Sequence, residues 1–201
     1  MNKKVGIIGF GNMGSVIGER IKSRYKVLVF DKDSAKTMAL KDISIAGALI
    51  DLVRNVDTII LAVKPQGFDI VLNEIKGGIE RKLIISIAAG ITTGYIEKRL
   101  SEAAVVRAMP NMPARIGKGV TCLSRGRFAT EEHLGFSKEL FSSLGETLVL
   151  GEQMMNAATA ISGSGPAYVY DVDYNNISES KKKDFRLFFE EAARLIGFGN
   201  E

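Results

Sequence analysis

The chain has 201 residues, 46% of them hydrophobic and 25% charged, which is enough apolar material to close a core around one main domain with a smaller appendage. Its 27 Lys and Arg against 23 Asp and Glu leave a formal charge of +4, but the two signs are interspersed and no basic stripe alternates with aromatics, so no nucleic-acid partner is expected. The single Cys122 excludes an internal disulfide and a multi-cysteine zinc site, and the lone His133 reads as a surface histidine, so no metal is expected either.

The first element is the apolar run Val5 to Ile8. It is too short, and too soon broken by Gly9 and Gly11, for a signal peptide, so it reads as a buried strand. No apolar stretch approaches the roughly 20 residues that cross a bilayer, which gives the expectation of a cytoplasmic protein with no membrane partner. Gly9-Phe10-Gly11-Asn12-Met13-Gly14 then leads from the strand into a helical pattern, the arrangement of a dinucleotide-binding turn. Gly9 permits the tight turn, Gly11 lets the backbone approach a pyrophosphate, and Gly14 lets the helix pack closely on the sheet. The helix N-terminus offers its free N–H groups to phosphate, so NADP or NAD is the expected cofactor.

The second run, Val27 to Phe30, ends at Asp31, about twenty residues beyond the central glycine, where a carboxylate can accept hydrogen bonds from an adenosine ribose and favour NAD. Lys32 follows, and a cation there, with Lys36 one helical turn on, can instead meet the 2′-phosphate of NADP, so both cofactors stay open. Further apolar runs come at Ser44-Ile45-Ala46, Thr58 to Val63, Leu83 to Ile87 and Val105 to Met109, with helical stretches between them. Runs that are continuously apolar are strands buried on both faces. The pattern therefore predicts an α/β fold: a Rossmann-like, doubly wound parallel sheet with a short C-terminal helical segment.

Val120 to Leu123 and Thr147 to Leu150 read as a further strand pair, hairpin-like, flanking a helix from Thr130 to Leu144 with Thr130 as its N-cap. Composition changes after Gly151, and the domain boundary is placed so that residues 1–152 form the dinucleotide-binding domain and 153–201 a short helical one. A helical pattern from Met154 to Ala160 is interrupted by Ser162-Gly163-Ser164-Gly165-Pro166. After a polar stretch from Asp171 to Asp184, Phe185, Phe188, Phe189, Ala192 and Leu195 share a helix face. With Ile196 and Phe198 they would leave a large apolar surface in water unless covered, which predicts a homodimer.

Ligands of an open parallel sheet gather beyond the carboxyl ends of its strands. The residues there are Ala62-Val63-Lys64-Pro65-Gln66, Ser86-Ile87-Ala88-Ala89-Gly90 and Arg107-Ala108-Met109-Pro110-Asn111-Met112-Pro113, with Ser162 to Pro166 opening the last segment. Lys64 can reach a phosphate or a ribose, and small residues at Ala88 and Ala89 let a dinucleotide lie against the backbone.

These segments, in this order, resemble pyrroline-5-carboxylate reductases, from Val5 to about Tyr170, and most specifically at Ala160-Ile161-Ser162-Gly163-Ser164-Gly165-Pro166-Ala167-Tyr168. The resemblance implies hydride transfer from a nicotinamide to the C=N carbon of a cyclic imine, giving L-proline, and a helical domain through which two subunits interlock. It places Gly9, Phe10, Gly11, Asn12 and Met13 on the pyrophosphate, and Asp31 and Lys32 at the adenosine end. Ala62, Val63, Lys64 and Pro65, with Ala88 and Ala89, would meet the central and nicotinamide parts, while Asn111 and Ser162, Gly163, Ser164 and Gly165 would border the substrate pocket. No acid–base catalytic residue is assigned, because a protonated imine is already electrophilic and needs mainly to be held near the hydride donor. Two departures are Leu49, where the family tends to carry an asparagine at the ribose, and the lack of a Ser-Pro-Gly-Gly-Thr-Thr-like substrate loop among the 201 residues. The alternative function is a non-catalytic dinucleotide-binding relative with a sensing or regulatory role.

Overall fold

The computed structural model describes residues 3–101, 103–163 and 178–195. Eight strands form one sheet: β1 (Lys4–Ile8), β2 (Lys26–Phe30), β3 (Ser44–Ile45), β4 (Thr58–Leu61), β5 (Leu83–Ser86), β6 (Ala104–Met109), β7 (Gly119–Arg125) and β8 (Gly145–Val149). Their order across the sheet is β3-β2-β1-β4-β5-β6-β7-β8. The first six run parallel, and the order reverses between β1 and β4, which opens a crevice at the carboxyl ends of those two strands.

The central strands β1, β4 and β5 are apolar along most of their length because both faces are covered. Val5, Ile7, Ile60 and Val106 face one core with Ile17 and Ile21 of α1 (Asn12–Ile21) and Leu140 and Phe141 of α5 (Glu131–Phe141). Their neighbours Ile8, Ile59, Leu61 and Val105 face the other core, against α2 (Leu49–Asn55), α3 (Phe68–Ile75) and α4 (Thr93–Arg99) through Leu52, Phe68, Leu72 and Ile96. Each fully buried leucine, isoleucine or phenylalanine contributes about 1.5–3 kcal/mol by leaving water, so cutting Ile17 or Leu72 to alanine would open a cavity at the sheet surface.

The last two strands correct the sequence reading. β7 runs antiparallel to β6, and β8 runs parallel to β7 rather than closing a hairpin with it. The reason is the length of the connections. The 110–118 link is too short for the crossover a parallel neighbour needs, whereas α5 supplies that crossover between β7 and β8. At the start of α5 the Thr130 hydroxyl accepts the His133 N–H at 3.3 Å and the His133 ring Nδ1 accepts the Thr130 N–H at 3.1 Å, so the surface histidine completes a reciprocal cap.

Beyond the sheet, a 3-10 turn at Glu152–Met154 leads into α6 (Met155–Ala158) and a π-turn at Thr159–Gly163. A helix, α7 (Glu179–Leu195), follows. The side chains of Phe185, Phe188, Phe189, Ala192 and Leu195 lie outside the described set, as do residues Ile196 and Phe198 and the stretch from Asp171 to Asn176. Among the described residues no helix is long and apolar enough to cross a membrane.

Candidate functional site

The glycine turn is built at the carboxyl end of β1. Gly9 has φ +94°, a value that favours glycine, and a Cβ there would stand 2.7 Å from the Ala62 carbonyl oxygen. A Cβ on Gly14 would collide with the Gly9 carbonyl oxygen, so α1 reaches the sheet only because that position is bare. Gly11 is different: nothing lies within 4 Å of a Cβ placed on it, and the space it leaves faces outward. α1 begins without a side-chain cap and without an acid in its first turn. The N–H groups of Asn12, Met13 and Gly14 have no intrahelical acceptor, and such an end suits a phosphate.

Phe10 precedes that end. Its ring packs into the core beside Gly18, and its N–H donates to the Asp31 carboxylate Oδ2 at 2.7 Å. The other oxygen, Oδ1, accepts the Asp33 N–H at 2.9 Å and the Lys36 Nζ at 3.3 Å. Burial raises the carboxyl pKa, but the Asp33 and Phe10 N–H groups and the Lys36 ammonium together outweigh it and hold Asp31 below the usual carboxylate range. With its side chain 6% exposed, Asp31 braces the ends of β1 and β2, and it also lines the cavity at this edge. Lys32 is exposed and has no ion pair or hydrogen bond among the described residues.

A cavity of about 500 Å³ opens at this edge. Gly9, Gly11, Asp31, Lys32, Ala62, Val63 and Lys64 all line it, so the crevice unites seven of the residues expected at a cofactor. Pro65 starts the adjoining 3-10 turn; Ala88 is buried and Ala89 exposed, and neither these three nor Asn12, Met13 and Gly14 line the cavity. Gln66, named among the strand-end residues, also lines it; sequence reasoning missed the outer wall, made by Ile70, Val71 and Glu74 of α3 with Gly67. One signal was available: Phe68, Leu72 and Ile75 mark the core face of α3, which leaves Ile70, 70% exposed, as an apolar residue pointing elsewhere. Leu49, the first residue of α2, is buried and adds an apolar patch to the same wall.

Of the expected substrate residues, Asn111 and Ser162 meet just beyond the end of β6. Asn111 is buried; its Oδ1 accepts the Val120 N–H at 2.9 Å and its Nδ2 donates to the Ser162 hydroxyl at 3.2 Å. Asn111 and Ser162, 51 positions apart, are thus brought together, with Gly163 next along the π-turn; Ser164 and Gly165 lie outside the described residues. Arg107 of the same strand is fully buried and pairs with Glu152 at 2.8 Å and with the Asn156 side-chain oxygen at 3.0 Å. Neither Glu152 nor Asn156 carries a signal in sequence, since each is one polar residue on an unremarkable helical pattern.

A mostly parallel sheet with a switch-point crevice, a bare glycine turn and an uncapped helix beside it defines an α/β protein of the dinucleotide-binding class. The comparisons narrow this. Residues 4–90 match a family described as NADP oxidoreductase, coenzyme F420-dependent. A pyrroline-5-carboxylate reductase of Methanosarcina acetivorans is 38% identical over 184 residues, covering 85% of this chain and 67% of that protein. One from Synechocystis is 34% identical over 177 residues, covering 84% and 66%. The crystal structure of a Plasmodium falciparum pyrroline carboxylate reductase with NADP bound superposes with a TM-score of 0.78 at 28% identity, covering 100% of this chain and 80% of that one. The Coxiella burnetii pyrroline-5-carboxylate reductase gives 0.81 at 26% identity, covering 98% and 76%. The chain belongs to the pyrroline-5-carboxylate reductase family. It spans about two thirds of the length of the curated relatives it matches.

Proposed function

We propose that the protein reduces 1-pyrroline-5-carboxylate to L-proline with NADPH or NADH as donor. The observation that carries this reading is the shared edge: the glycine-turn cavity, at the carboxyl ends of β1 and β4, and the Asn111–Ser162 pair, beyond the carboxyl end of β6, stand on the same edge of one sheet. In this reading residues 1–152 hold the dinucleotide and 153–201 begin the helical part, through which two copies pair. A bound reduced nicotinamide supplies a hydride to the C=N carbon, and a proton on nitrogen completes the amine.

The chain's own tasks are binding and orientation. The free N–H groups of Asn12, Met13 and Gly14 meet the pyrophosphate, and Gly11 leaves the room it needs. Lys64, exposed at the cavity rim, neutralises phosphate charge. Lys32, at the cavity and with no ion pair or hydrogen bond among the described residues, suits a 2′-phosphate, and NADP is therefore the preferred cofactor. Asn111 and Ser162 border the imine.

The test is oxidation of NADPH and NADH by the purified protein with pyrroline-5-carboxylate, beside direct titration of each cofactor. Turnover with tighter NADPH binding supports the reading. Tight cofactor binding with no turnover on this imine would sink it in favour of a non-catalytic dinucleotide-binding relative. Light scattering at micromolar concentration checks the pairing of two copies.

A further inference from the structure

Arg107, Met109 and Asn111 are alternate residues leading out of β6, so their side chains leave one face. Each takes a different turn of the segment that follows the sheet. Arg107 holds Glu152 and Asn156, Met109 packs with Met155 and Ala158, and Asn111 holds Ser162. Four residues of extended chain advance about 13 Å. The succession of 3-10, α and π turns from Glu152 to Gly163 follows that stretch, so the three attachments lay the 152–162 segment along the strand in register.

Of the three, Arg107 alone fixes that register from the buried end. Its side chain is 1% exposed, with Nη1 on Glu152 and Nη2 on Asn156, residues one helical turn apart. The second Glu152 oxygen accepts the Thr93 hydroxyl at 3.2 Å, which ties the same point to the first turn of α4. The arginine Nε has no acceptor among the described residues. A buried guanidinium with one donor unmet, paired to a partly exposed carboxylate, is a poor way to gain stability, because taking it out of water offsets most of the attraction. Its planar fork does something an apolar side chain cannot: it dictates the direction of two acceptors at once. Met109, next along the face, holds its partners by packing alone and would tolerate a slip of the helix.

We propose that Arg107 is a positioning residue: by fixing Glu152 and Asn156 on β6 it sets where Ser162 meets Asn111, and so shapes the imine pocket without touching the imine. The identity of that pocket rests on the reductase reading above; the register itself does not.

The experiment compares Arg107→Met, Arg107→Lys and Asn156→Ala with the parent in the full chain, by hydrogen exchange of the 155–163 amides and by steady-state kinetics. In Arg107→Met the exchange of 155–163 is expected to rise about tenfold while β4 and β5 stay protected. NADPH affinity is expected to stay within about twofold while kcat with pyrroline-5-carboxylate falls about tenfold or more. Arg107→Lys, which keeps the charge but not the fork, recovers protection only in part. If exchange at 155–163 and kcat both stay at the parent values in Arg107→Met, the proposal is overturned. A rise in exchange throughout the sheet would mark general unfolding, and Asn156→Ala, whose side chain stands at the surface, then decides: local loss of protection upholds the proposal and none overturns it. If the parent turns over no imine, the reductase reading fails while the exchange data still judge the register.

Discussion

The Asp31 carboxylate accepts the Phe10 N–H at 2.7 Å, fastening the glycine turn to the end of the neighbouring strand. An acid in this place is read from sequence as a ribose ligand, and here its oxygens also accept from Phe10 N–H, Asp33 N–H and Lys36 at the rim of the cavity. The turn is therefore held in shape before any ligand arrives.

Replacing Asp31 by alanine leaves the Phe10 N–H without an acceptor and is expected to lower stability by about 1–3 kcal/mol. The pH dependence has a definite sign. A carboxyl held below its ordinary value near 3.8 contributes stability that is fully present above that value and is lost as pH falls through the folded-state pKa. Urea midpoints of the parent should drop more steeply below about pH 4 than those of Asp31→Asn. Parallel curves for the two would show that the carboxylate does not brace the turn.

Lys32→Ala should weaken NADPH about tenfold, equivalent to about 1.4 kcal/mol, and change NADH by less than about twofold. Fluorescence titration of both cofactors measures this. The difference should shrink as salt is added, because Lys32 is exposed. Equal losses for the two cofactors would remove the 2′-phosphate from the side of Lys32.

Gly11→Ala and Gly14→Ala separate ligand room from packing. An alanine Cβ at position 11 meets nothing within 4 Å and the backbone there has φ −78°, so stability should change by less than about 0.5 kcal/mol while dinucleotide affinity falls. At position 14 the Cβ strikes the Gly9 carbonyl oxygen, and melting should reveal a loss of about 1–3 kcal/mol. A stable Gly14→Ala protein would contradict the close approach of α1 to the sheet.

Asn111→Ala strands the Val120 N–H and removes the partner of Ser162, so it should cost about 1–3 kcal/mol and also depress imine turnover. Ser162→Ala, at a half-buried position, should depress turnover with a stability loss below about 1 kcal/mol. Thermal melts and kcat/KM for both variants check the pair. Loss of stability without loss of turnover would make Asn111 a structural bracket only.

Much of this molecule is legible in its sequence, and the legible parts share a cause. Strands such as Thr58–Leu61 and Leu83–Ser86 are visible because burial on both faces demands unbroken apolar runs. The glycine turn is visible because Gly9 and Gly14 are forced by contacts within a few residues of the turn and the strand beside it. The Thr130 cap is visible because its partner, His133, lies three residues away.

What remained hidden depends on partners brought together across the fold. The apolar pattern marks Val120 to Leu123 and Thr147 to Leu150 as strands but carries no direction, so only the short 110–118 connection and the α5 crossover decide that one opposes β6 and the other follows β7. Nothing local tells Asp31 to face Phe10 instead of solvent, or selects Glu152 and Asn156 as the partners of a buried arginine. By itself the sequence determined the elements, the glycine turn and the strand ends where ligands gather, because each follows from residue type and spacing along the chain. The tertiary structure alone decided which polar side chains are consumed in holding the site and which are left to meet a ligand. That division is set by distances between residues far apart in sequence.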